Sequence, residues 1–209
     1  MKKCIYLIRH SAPFLEIENY TDYNNVLWDN YNKNMILSVD GEKNAQKLSR
    51  IQELKSYDEL YASDSFRAIG TAKYLLDDNK KIKLDSRINE RNLGIKFLNE
   101  IPDDFNKKSF ADKNFRFQNG ESLNEVDERF KNFIYEILNK NNNKTIIVFH
   151  GIILLSYLET ICDFKFDGKI VNVNYKGKVI VDGALKNPDI FKIVFNNNEI
   201  IDIENIPLV

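Results

Sequence analysis

The chain contains two histidines, and each follows a short apolar run. His10 comes after residues 4–8 and Arg9, and His150 directly follows residues 145–149. Both runs are predicted to be buried strands. Ligands of open α/β sheets bind at the carboxyl ends of the strands, so neighbouring strands would bring both imidazoles to one crevice. A histidine at a strand end is most often structural, but the shared position of these two favours a common site.

Two arginines are placed to complete an anion site. Arg9 directly precedes His10, and Arg67 falls in the first turn of a predicted helix that follows the strand DELYA. A guanidinium suits the bidentate grip on phosphate oxygens, and the N–H groups of a helix start add positive potential. An imidazole can act as a nucleophile or donate to developing charge. These residue types favour phosphoryl chemistry, although Arg67 taken alone would be a surface salt-bridge residue.

The elements that must position these side chains alternate between strands and helices. Strands are predicted at residues 4–8, 58–62, 81–84 and 145–149, with further strands and a hairpin at NNNE towards the C-terminus. Helices are predicted at residues 40–54, from a cap at Ser63 or Ser65 to about 76, after the capping box at Ser122 and Glu125, and after Gly151. This order predicts a three-layer α/β/α sandwich with a mostly parallel central sheet.

Residues 1–209 show no repeat and no Pro-, Gly- or Ser-rich linker, so one domain is predicted. Two stretches, 11–37 and 95–119, lack clear periodicity and contain several aromatic residues. Long loops in compact domains are usually functional. They are expected to wall a pocket, the second as a cap, while the alternative that their aromatics form local core stays equally open.

Composition narrows the classes of partner. The formal net charge is −1 with 43% hydrophobic residues, so no basic field would attract nucleic acid or an anionic membrane. No apolar run approaches the length of a signal peptide core or a membrane span, so a cytoplasmic protein is expected. Cys4 and Cys162 cannot form a disulfide framework and are predicted to be buried thiols.

Other signatures of phosphate chemistry do not occur in the sequence. There is no GxxxxGK[ST] loop for nucleoside triphosphates. Four residues separate Cys4 from Arg9, whereas a cysteine phosphatase loop has five. Two histidines without a close carboxylate spacing make a poor metal site, so no metal ligand is assigned.

Six segments, in order, resemble the motifs of the histidine phosphatase superfamily, also called the phosphoglycerate mutase-like family. They are IYLIRHSAP, LSVDGEKNAQKL, YASDSFRAIGTAKYL, RINERNLG, NGESLNEVDERF and IIVFHGIIL. Each motif alone is weak, but six in register over about residues 3–160 hold both histidines of the chain. The resemblance implies a phosphoglycerate mutase-like fold and a metal-independent phosphatase, a phosphoric monoester hydrolase without a cofactor.

The resemblance also implies roles for individual residues. His10 would be the nucleophile and become a phosphohistidine, while Arg9, Arg67 and His150 would bind the phosphoryl oxygens. Glu90 would protonate the leaving oxygen and then help to deprotonate the attacking water. Ser11 and Gly151, which follow the two histidines, would join them in substrate binding.

The sequence departs from the family pattern near the first histidine. Ser11 replaces the usual glycine, and Glu16 stands where the family often has an asparagine that helps to hold phosphate. A carboxylate at that position would repel phosphate if it pointed inward. Glu121, just before the capping box, is assigned to helix capping instead of chemistry.

Two alternatives to the phosphatase stay open. A phosphoglycerate-type phosphomutase would need further basic residues to hold a bisphosphate, and no such arginine cluster is found. A catalytically weak phospho-ligand binding or regulatory module is the other. The substrate is expected to be a small phosphorylated molecule, with a phosphoprotein possible in its place, and the oligomeric state is unknown.

Overall fold

The computed structural model describes residues 2–14 and 27–208 of the chain. The strands there are β1 (Lys2–Arg9), β2 (Glu59–Ala62), β3 (Ile82–Leu84), β4 (Lys144–Phe149), β5 (Asp163–Phe166), β6 (Val171–Tyr175), β7 (Lys178–Gly183), β8 (Asp189–Asn196) and β9 (Glu199–Ile206). The helices are α1 (Trp28–Asn34), α2 (Val39–Leu48), α3 (Phe66–Ala72), α4 (Phe105–Ala111), α5 (Leu123–Asn139) and α6 (Gly151–Ile161). None of the helices in these ranges is long and apolar enough to cross a bilayer.

The central sheet has the strand order β3-β2-β4-β1-β8-β9. The first four strands run parallel to one another, and β8 pairs antiparallel with both β1 and β9. The prediction of a mostly parallel central sheet is thereby confirmed. Strands β5, β6 and β7 form a separate antiparallel sheet, which the sequence patterns do not distinguish from the central one.

Alternate residues of β1 point to opposite faces of the central sheet, and both faces are covered. Ile5 and Leu7 belong to the core that contains residues of α5 and α6, whereas Tyr6 and Ile8 belong to the core that contains residues of α2 and α3. Because β1 is covered on both sides, its sequence is continuously apolar instead of alternating. The three predicted layers are present, and the loops after the parallel strands are available to form a site.

Two helices are shorter than predicted. The helix predicted over 40–54 covers Val39–Leu48, and a 3₁₀ turn at Gln52–Leu54 returns the chain to the core. The helix after β2 ends at Ala72 and continues as a 3₁₀ turn at Lys73–Leu75. Apolar residues spaced by three satisfy either kind of helix, so periodicity does not separate them.

The stretch 95–119 is only partly irregular, because it contains α4. Phe105 and Ser109, four residues apart on one face of α4, are buried. Phe105 packs against Phe115 and Phe117 in a small separate core. The alternative of local aromatic packing therefore holds for these three rings.

The two cysteines are free thiols, as predicted. Cys162 directly follows α6, and Cys4 lies near the start of β1. Both are only partly buried, so the prediction of fully buried thiols is wrong. Their positions near the ends of elements leave them at the margin of the core.

Candidate active site

His10 and His150 lie side by side at the carboxyl end of the central sheet. Strands β1 and β4 are neighbours, with Arg9 paired to Phe149 in parallel register. The backbone N–H of His10 donates to the Phe149 carbonyl at 2.9 Å, and the two imidazole centroids are 5.2 Å apart. The two strands are thus adjacent, as a shared crevice requires.

The hydrogen bonds of His10 fix its tautomer. Its Nδ1 lies 2.8 Å from the Ser11 carbonyl, which can only accept, so Nδ1 carries the proton. Nε2 is then the lone-pair nitrogen, and it accepts a hydrogen bond from Nε of Arg67 at 3.1 Å. Burial, together with the positive charges of Arg67 and Arg9, lowers the pKa of His10 to about 3. The ring is therefore neutral near pH 7 and has a nucleophilic nitrogen.

Arg67 connects the two histidines. While its Nε donates to His10, its Nη2 donates to Nδ1 of His150 at 3.0 Å. Asn32 of α1 accepts two hydrogen bonds from the same guanidinium. One goes to its backbone carbonyl, and the other goes to its side-chain carbonyl at 2.8 Å. Arg67 is only 3% exposed, and burial lowers its pKa while the charge of Glu90 counteracts this. Arg67 is therefore part of the buried cluster and not a surface salt-bridge residue.

Two serines orient His150. Because Nδ1 of His150 faces the donor Arg67, its Nε2 carries the proton and donates to Oγ of Ser63 at 2.8 Å, with Oγ of Ser65 at 3.4 Å. Burial, together with the charge of Arg67, keeps the pKa of His150 well below its ordinary value. The sequence assigns these serines to capping of α3. Ser65 does occupy the N-cap position, but its side chain makes no capping hydrogen bond, so that assignment is wrong for the hydroxyls.

Glu90 faces the histidines from the loop before the cap. Its Oε2 lies 3.5 Å from Nδ1 of His150 and 4.0 Å from Nη2 of Arg67. Its Oε1 accepts a hydrogen bond from the backbone N–H of Arg91 at 3.0 Å. The side chain is 20% exposed, so the carboxyl group borders both the buried cluster and open space. The carboxylate implied by the resemblance therefore lies beside His150 and Arg67.

Arg9 reaches the site past the glycine that begins α6. A Cβ atom on Gly151 would lie 2.9 Å from Nε of Arg9, so glycine permits this close approach. Nη1 of Arg9 donates to the carbonyls of Leu185 and Lys186 at 3.0 and 3.3 Å. Its buried Nε has no hydrogen-bond partner among the residues that the structure describes. An oxyanion in the site would supply an acceptor for it.

Ser11 supports His10. Its hydroxyl donates to the Gly41 carbonyl at 2.7 Å, and its backbone N–H donates to Oγ1 of Thr71 at 2.9 Å. Its own carbonyl receives the Nδ1 proton of His10. The polar groups of Ser11 are thus engaged within the protein, which gives it a positioning role. Substrate contact by Ser11 stays a prediction, and it would need one of these bonds to open.

An open cleft of about 300 Å³ adjoins His10, whereas His150 is fully buried and does not line it. Its lining residues are Arg9, His10, Glu90, Asn106, Gly151, Ile152, Leu155, Phe166, Gly168, Lys169, Val171, Ala184 and Leu185. Asn106 belongs to α4, so the stretch 95–119 contributes to the wall as expected. Glu16, at the position where the family often has asparagine, lies outside the described residues.

Sequence reasoning missed Arg91 and Asn32. Arg91 is 2% exposed, and its guanidinium donates to Oγ of Ser109 and to the Phe115 carbonyl, both at 2.8 Å. It therefore ties the cap to the loop that carries Glu90, and burial lowers its pKa to about 10. A single arginine in a polar loop carries no sequence signal of burial. Asn32 lies in a stretch without periodicity, and only its contact with the guanidinium in α3 identifies it.

Glu121 has a different role from the predicted one. The capping box of α5 is formed by Ser122 and Glu125. The Glu121 carboxylate instead accepts from the backbone N–H of Asn92 at 2.8 Å and pairs with Arg129, also at 2.8 Å. It fixes the loop before the cap to α5.

Solved structures with the same fold include a phosphoglycerate mutase and an alpha-ribazole phosphatase. The Bacillus stearothermophilus protein YhfR has a TM-score of 0.70 at 21% identity, with 95% of this chain and 94% of that chain covered. A phosphoglycerate mutase from Bacillus anthracis has a TM-score of 0.66 at 19% identity, with coverages of 98% and 92%. An alpha-ribazole phosphatase from Shigella flexneri has a TM-score of 0.62 at 18% identity, with coverages of 94% and 93%. At these identities the likeness shows the fold alone.

Sequence comparison identifies the family. Among curated protein sequences, none matches this chain. The family model of the histidine phosphatase superfamily, branch 1, matches residues 5–171. That match includes both histidines, Arg67 and Glu90, and it spans most of the chain. The chain therefore belongs to branch 1 of the histidine phosphatase superfamily.

Proposed function

We propose that the protein is a metal-independent phosphatase that hydrolyses a phosphomonoester through a phosphohistidine on His10. The observation that carries this proposal is the position of Nε2 of His10. The Ser11 carbonyl holds the proton on Nδ1, and Arg67 lies 3.1 Å from the free nitrogen. A neutral imidazole with its lone pair beside a buried guanidinium is suited to attack a phosphoryl group.

In the first step, Nε2 of His10 attacks phosphorus, and the bond between phosphorus and the ester oxygen breaks. The carboxyl group of Glu90 gives its proton to the leaving oxygen, so an alcohol departs and Glu90 becomes a carboxylate. His10 now carries the phosphoryl group on Nε2 and keeps its proton on Nδ1. The Ser11 carbonyl supports this state because it accepts that proton throughout.

In the second step, water attacks phosphorus, and the bond between phosphorus and Nε2 breaks. The Glu90 carboxylate takes one proton from the water, which restores its starting state. Inorganic phosphate leaves, and the lone pair returns to His10. Each proton given by Glu90 in the first step is recovered in the second.

Positive charge supports both steps. Phosphoryl transfer depends mainly on positioning and on neutralising the charge of the equatorial oxygens. Arg67 contacts both histidines, and Nε of Arg9 has an unused N–H beside Gly151. The two guanidiniums can serve the role that a metal ion has in other phosphoryl transferases.

Hydrolysis fits the site better than mutase chemistry. A mutase must retain a bisphosphate, which needs a second group of cations. Among the residues that line the described cleft, Lys169 is the cation besides Arg9. We expect a small phosphorylated molecule as substrate, with a phosphoprotein as the alternative, and a cytoplasmic location without nucleic-acid or membrane partners.

Turnover of 4-nitrophenyl phosphate, with and without EDTA, tests the proposal. Wild-type protein should release nitrophenol at the same rate in EDTA, and His10→Ala should release none. A panel of phosphorylated metabolites would then identify the physiological class. Binding of phosphate compounds without turnover would favour the regulatory module instead. Activity that EDTA removes and Mg²⁺ or Zn²⁺ restores would contradict metal independence.

A further inference from the structure

A second cavity, of about 180 Å³, adjoins the catalytic cleft. Glu90, Asn106 and Ile152 line both spaces. The other lining residues of the second cavity are Trp28, Asn32, Arg91, Leu93, Ile101 and Phe105, and we call this cavity the aromatic pocket. Because Glu90 belongs to both spaces, an occupant of the aromatic pocket lies next to the carboxyl group that the proposed mechanism uses as the acid.

The mechanism restricts where the alcohol part of a substrate can go. His10 attacks in line with the leaving oxygen, and Glu90 protonates that oxygen. The alcohol must therefore extend from phosphorus on the side of Glu90. Within the described residues, two spaces begin there, the cleft that includes Lys169 and the aromatic pocket.

The wall of the aromatic pocket is mostly apolar and is held in place. Phe105 is 3% exposed and stacks on Phe117 with ring centroids 4.8 Å apart. The guanidinium of Arg91 lies 4.9 Å from the Phe105 ring centroid, and its hydrogen bonds to Ser109 and two carbonyls fix it there. Pre-formed apolar walls with a few polar groups are typical of sites for small ligands.

Trp28 lines the pocket, and its indole carries a polar group that lacks a partner. Its Nε1 is buried, yet it has no acceptor in the part of the chain that the structure describes. Buried N–H groups are nearly always hydrogen-bonded. The backbone N–H of Trp28 donates to the Lys96 carbonyl at 3.0 Å, which holds the start of α1 against the cap. A shift of the indole that opens Nε1 to the pocket would let an acceptor on a bound alcohol complete its hydrogen bonding.

Charge and volume define the occupant further. Glu90 borders the pocket, and Arg91, the cation there, already donates to three acceptors within the protein. A second anionic group is therefore disfavoured. An apolar cavity of about 150 Å³ holds one benzene molecule, so about 180 Å³ suits a single substituted ring.

We infer that the aromatic pocket binds the alcohol part of the substrate, and that this part is one flat, uncharged ring with a hydrogen-bond acceptor for Nε1 of Trp28. The inference rests on the proposed phosphatase function, which places the alcohol beside Glu90. It predicts a preference for ring-bearing phosphomonoesters over glycerol phosphates and phosphoglycerates.

Matched substrates test the preference. We would compare kcat/KM for benzyl phosphate, the three pyridylmethyl phosphates, glycerol 3-phosphate and 3-phosphoglycerate. Benzyl phosphate should exceed glycerol 3-phosphate by about tenfold or more, and one pyridylmethyl isomer should exceed benzyl phosphate by about tenfold, the effect of one hydrogen bond. Trp28→Phe keeps a ring but lacks the N–H, so it should abolish the second difference.

Two further variants separate filling of the pocket from a general effect of added bulk. Ile101→Trp places a large side chain in the pocket and should lower kcat/KM for benzyl phosphate by about tenfold or more. Val179→Trp, at a 63% exposed position on β7, is the matched control and should leave the kinetics unchanged.

The single tryptophan of the chain also reports occupancy without turnover. Benzylphosphonate, which has no ester bond to cleave, should change the fluorescence of Trp28 saturably, whereas methylphosphonate should not. Equal kcat/KM values for benzyl and glycerol phosphates, or no response to benzylphosphonate, would overturn the inference. If no phosphomonoester is hydrolysed but benzylphosphonate gives the response, the proposed function fails while the ring-binding pocket stands.

Discussion

The Nε of Arg67 donates a hydrogen bond to Nε2 of His10 across 3.1 Å, so a cation lies against the nitrogen that would attack phosphorus. The same guanidinium reaches Nδ1 of His150 at 3.0 Å. Phosphoryl oxygens between the histidines would be stronger acceptors, and the N–H groups of Arg67 would turn to them. Binding of substrate would thereby release the lone pair of the nucleophile.

Replacement of Arg67 tests whether its hydrogen bonds to the two histidines support catalysis. Arg67→Lys should lower kcat/KM for 4-nitrophenyl phosphate by about 10- to 100-fold, because an ammonium cannot bridge both histidines and Asn32. Steady-state kinetics would measure the loss, and circular dichroism would check the fold. Arg116→Lys, at an exposed arginine that pairs with Glu125, is the matched control. Similar losses in both variants would contradict a specific role for Arg67.

Glu90→Gln should separate substrates by their leaving groups. Alkyl phosphates need protonation of the leaving oxygen, so their transfer should slow by about 10²–10⁴-fold. An acidic phenol leaves unaided, so rapid mixing should show a burst of phenol followed by slow turnover, because water activation becomes limiting. Glu136→Gln, at an exposed carboxylate that pairs with Arg87, should behave like wild type. Equal, small effects on both substrate types would move the acid role to another carboxylate, and Glu16 is the first to test.

Gly151→Ala should reduce activity without unfolding the protein. The added Cβ atom would lie 2.9 Å from Nε and 3.3 Å from Cζ of Arg9, so the guanidinium must shift. A displaced binding group should lower kcat/KM by about 10- to 100-fold. Gly70→Ala, in which the new Cβ would meet only a Leu37 side chain, controls for a glycine change within a helix. An unchanged kcat/KM in Gly151→Ala would show that the position of Arg9 does not matter.

Acid should destabilise the fold through His10. Its pKa of about 3 in the folded protein lies below the ordinary 6.5, so the unfolded chain binds more protons between these values. The stability associated with the neutral, buried His10 is fully present above pH 6.5. As the pH falls below 6.5, the free energy of unfolding decreases by up to about 1.4 kcal/mol per pH unit. Urea denaturation of wild type and His10→Gln at about pH 6.5 and about pH 5 would measure it. Between these two pH values, the free energy of unfolding of the wild type should fall by roughly 1.5 kcal/mol more than that of the variant. Equal decreases would contradict a neutral, buried His10.

The sequence predicts the centre of the site because buried parallel strands are continuously apolar, and a polar residue directly after one stands out. His10 and His150 are found in this way, Arg67 is found from its place at the start of the next predicted helix, and the family motifs supply Glu90. The central sheet follows from the same alternation of strands and helices.

The supporting residues escape such reasoning because their roles depend on distant contacts. Asn32 holds a guanidinium 35 positions further along the chain, and Arg91 is buried only because the cap folds over it. Ser63 and Ser65 precede a helix, so capping is the local expectation, and only the approach of His150 reveals their other use. Local patterns cannot contain this information.

Rapid-quench labelling tests the central claim most directly. Wild-type protein mixed with a substrate carrying a labelled phosphoryl group should form a phosphoprotein that is labile in acid and stable in base. Peptide mapping should place the label on His10, and His10→Ala should form no such species. A label on another residue, or full turnover without any labelled protein, would contradict the account.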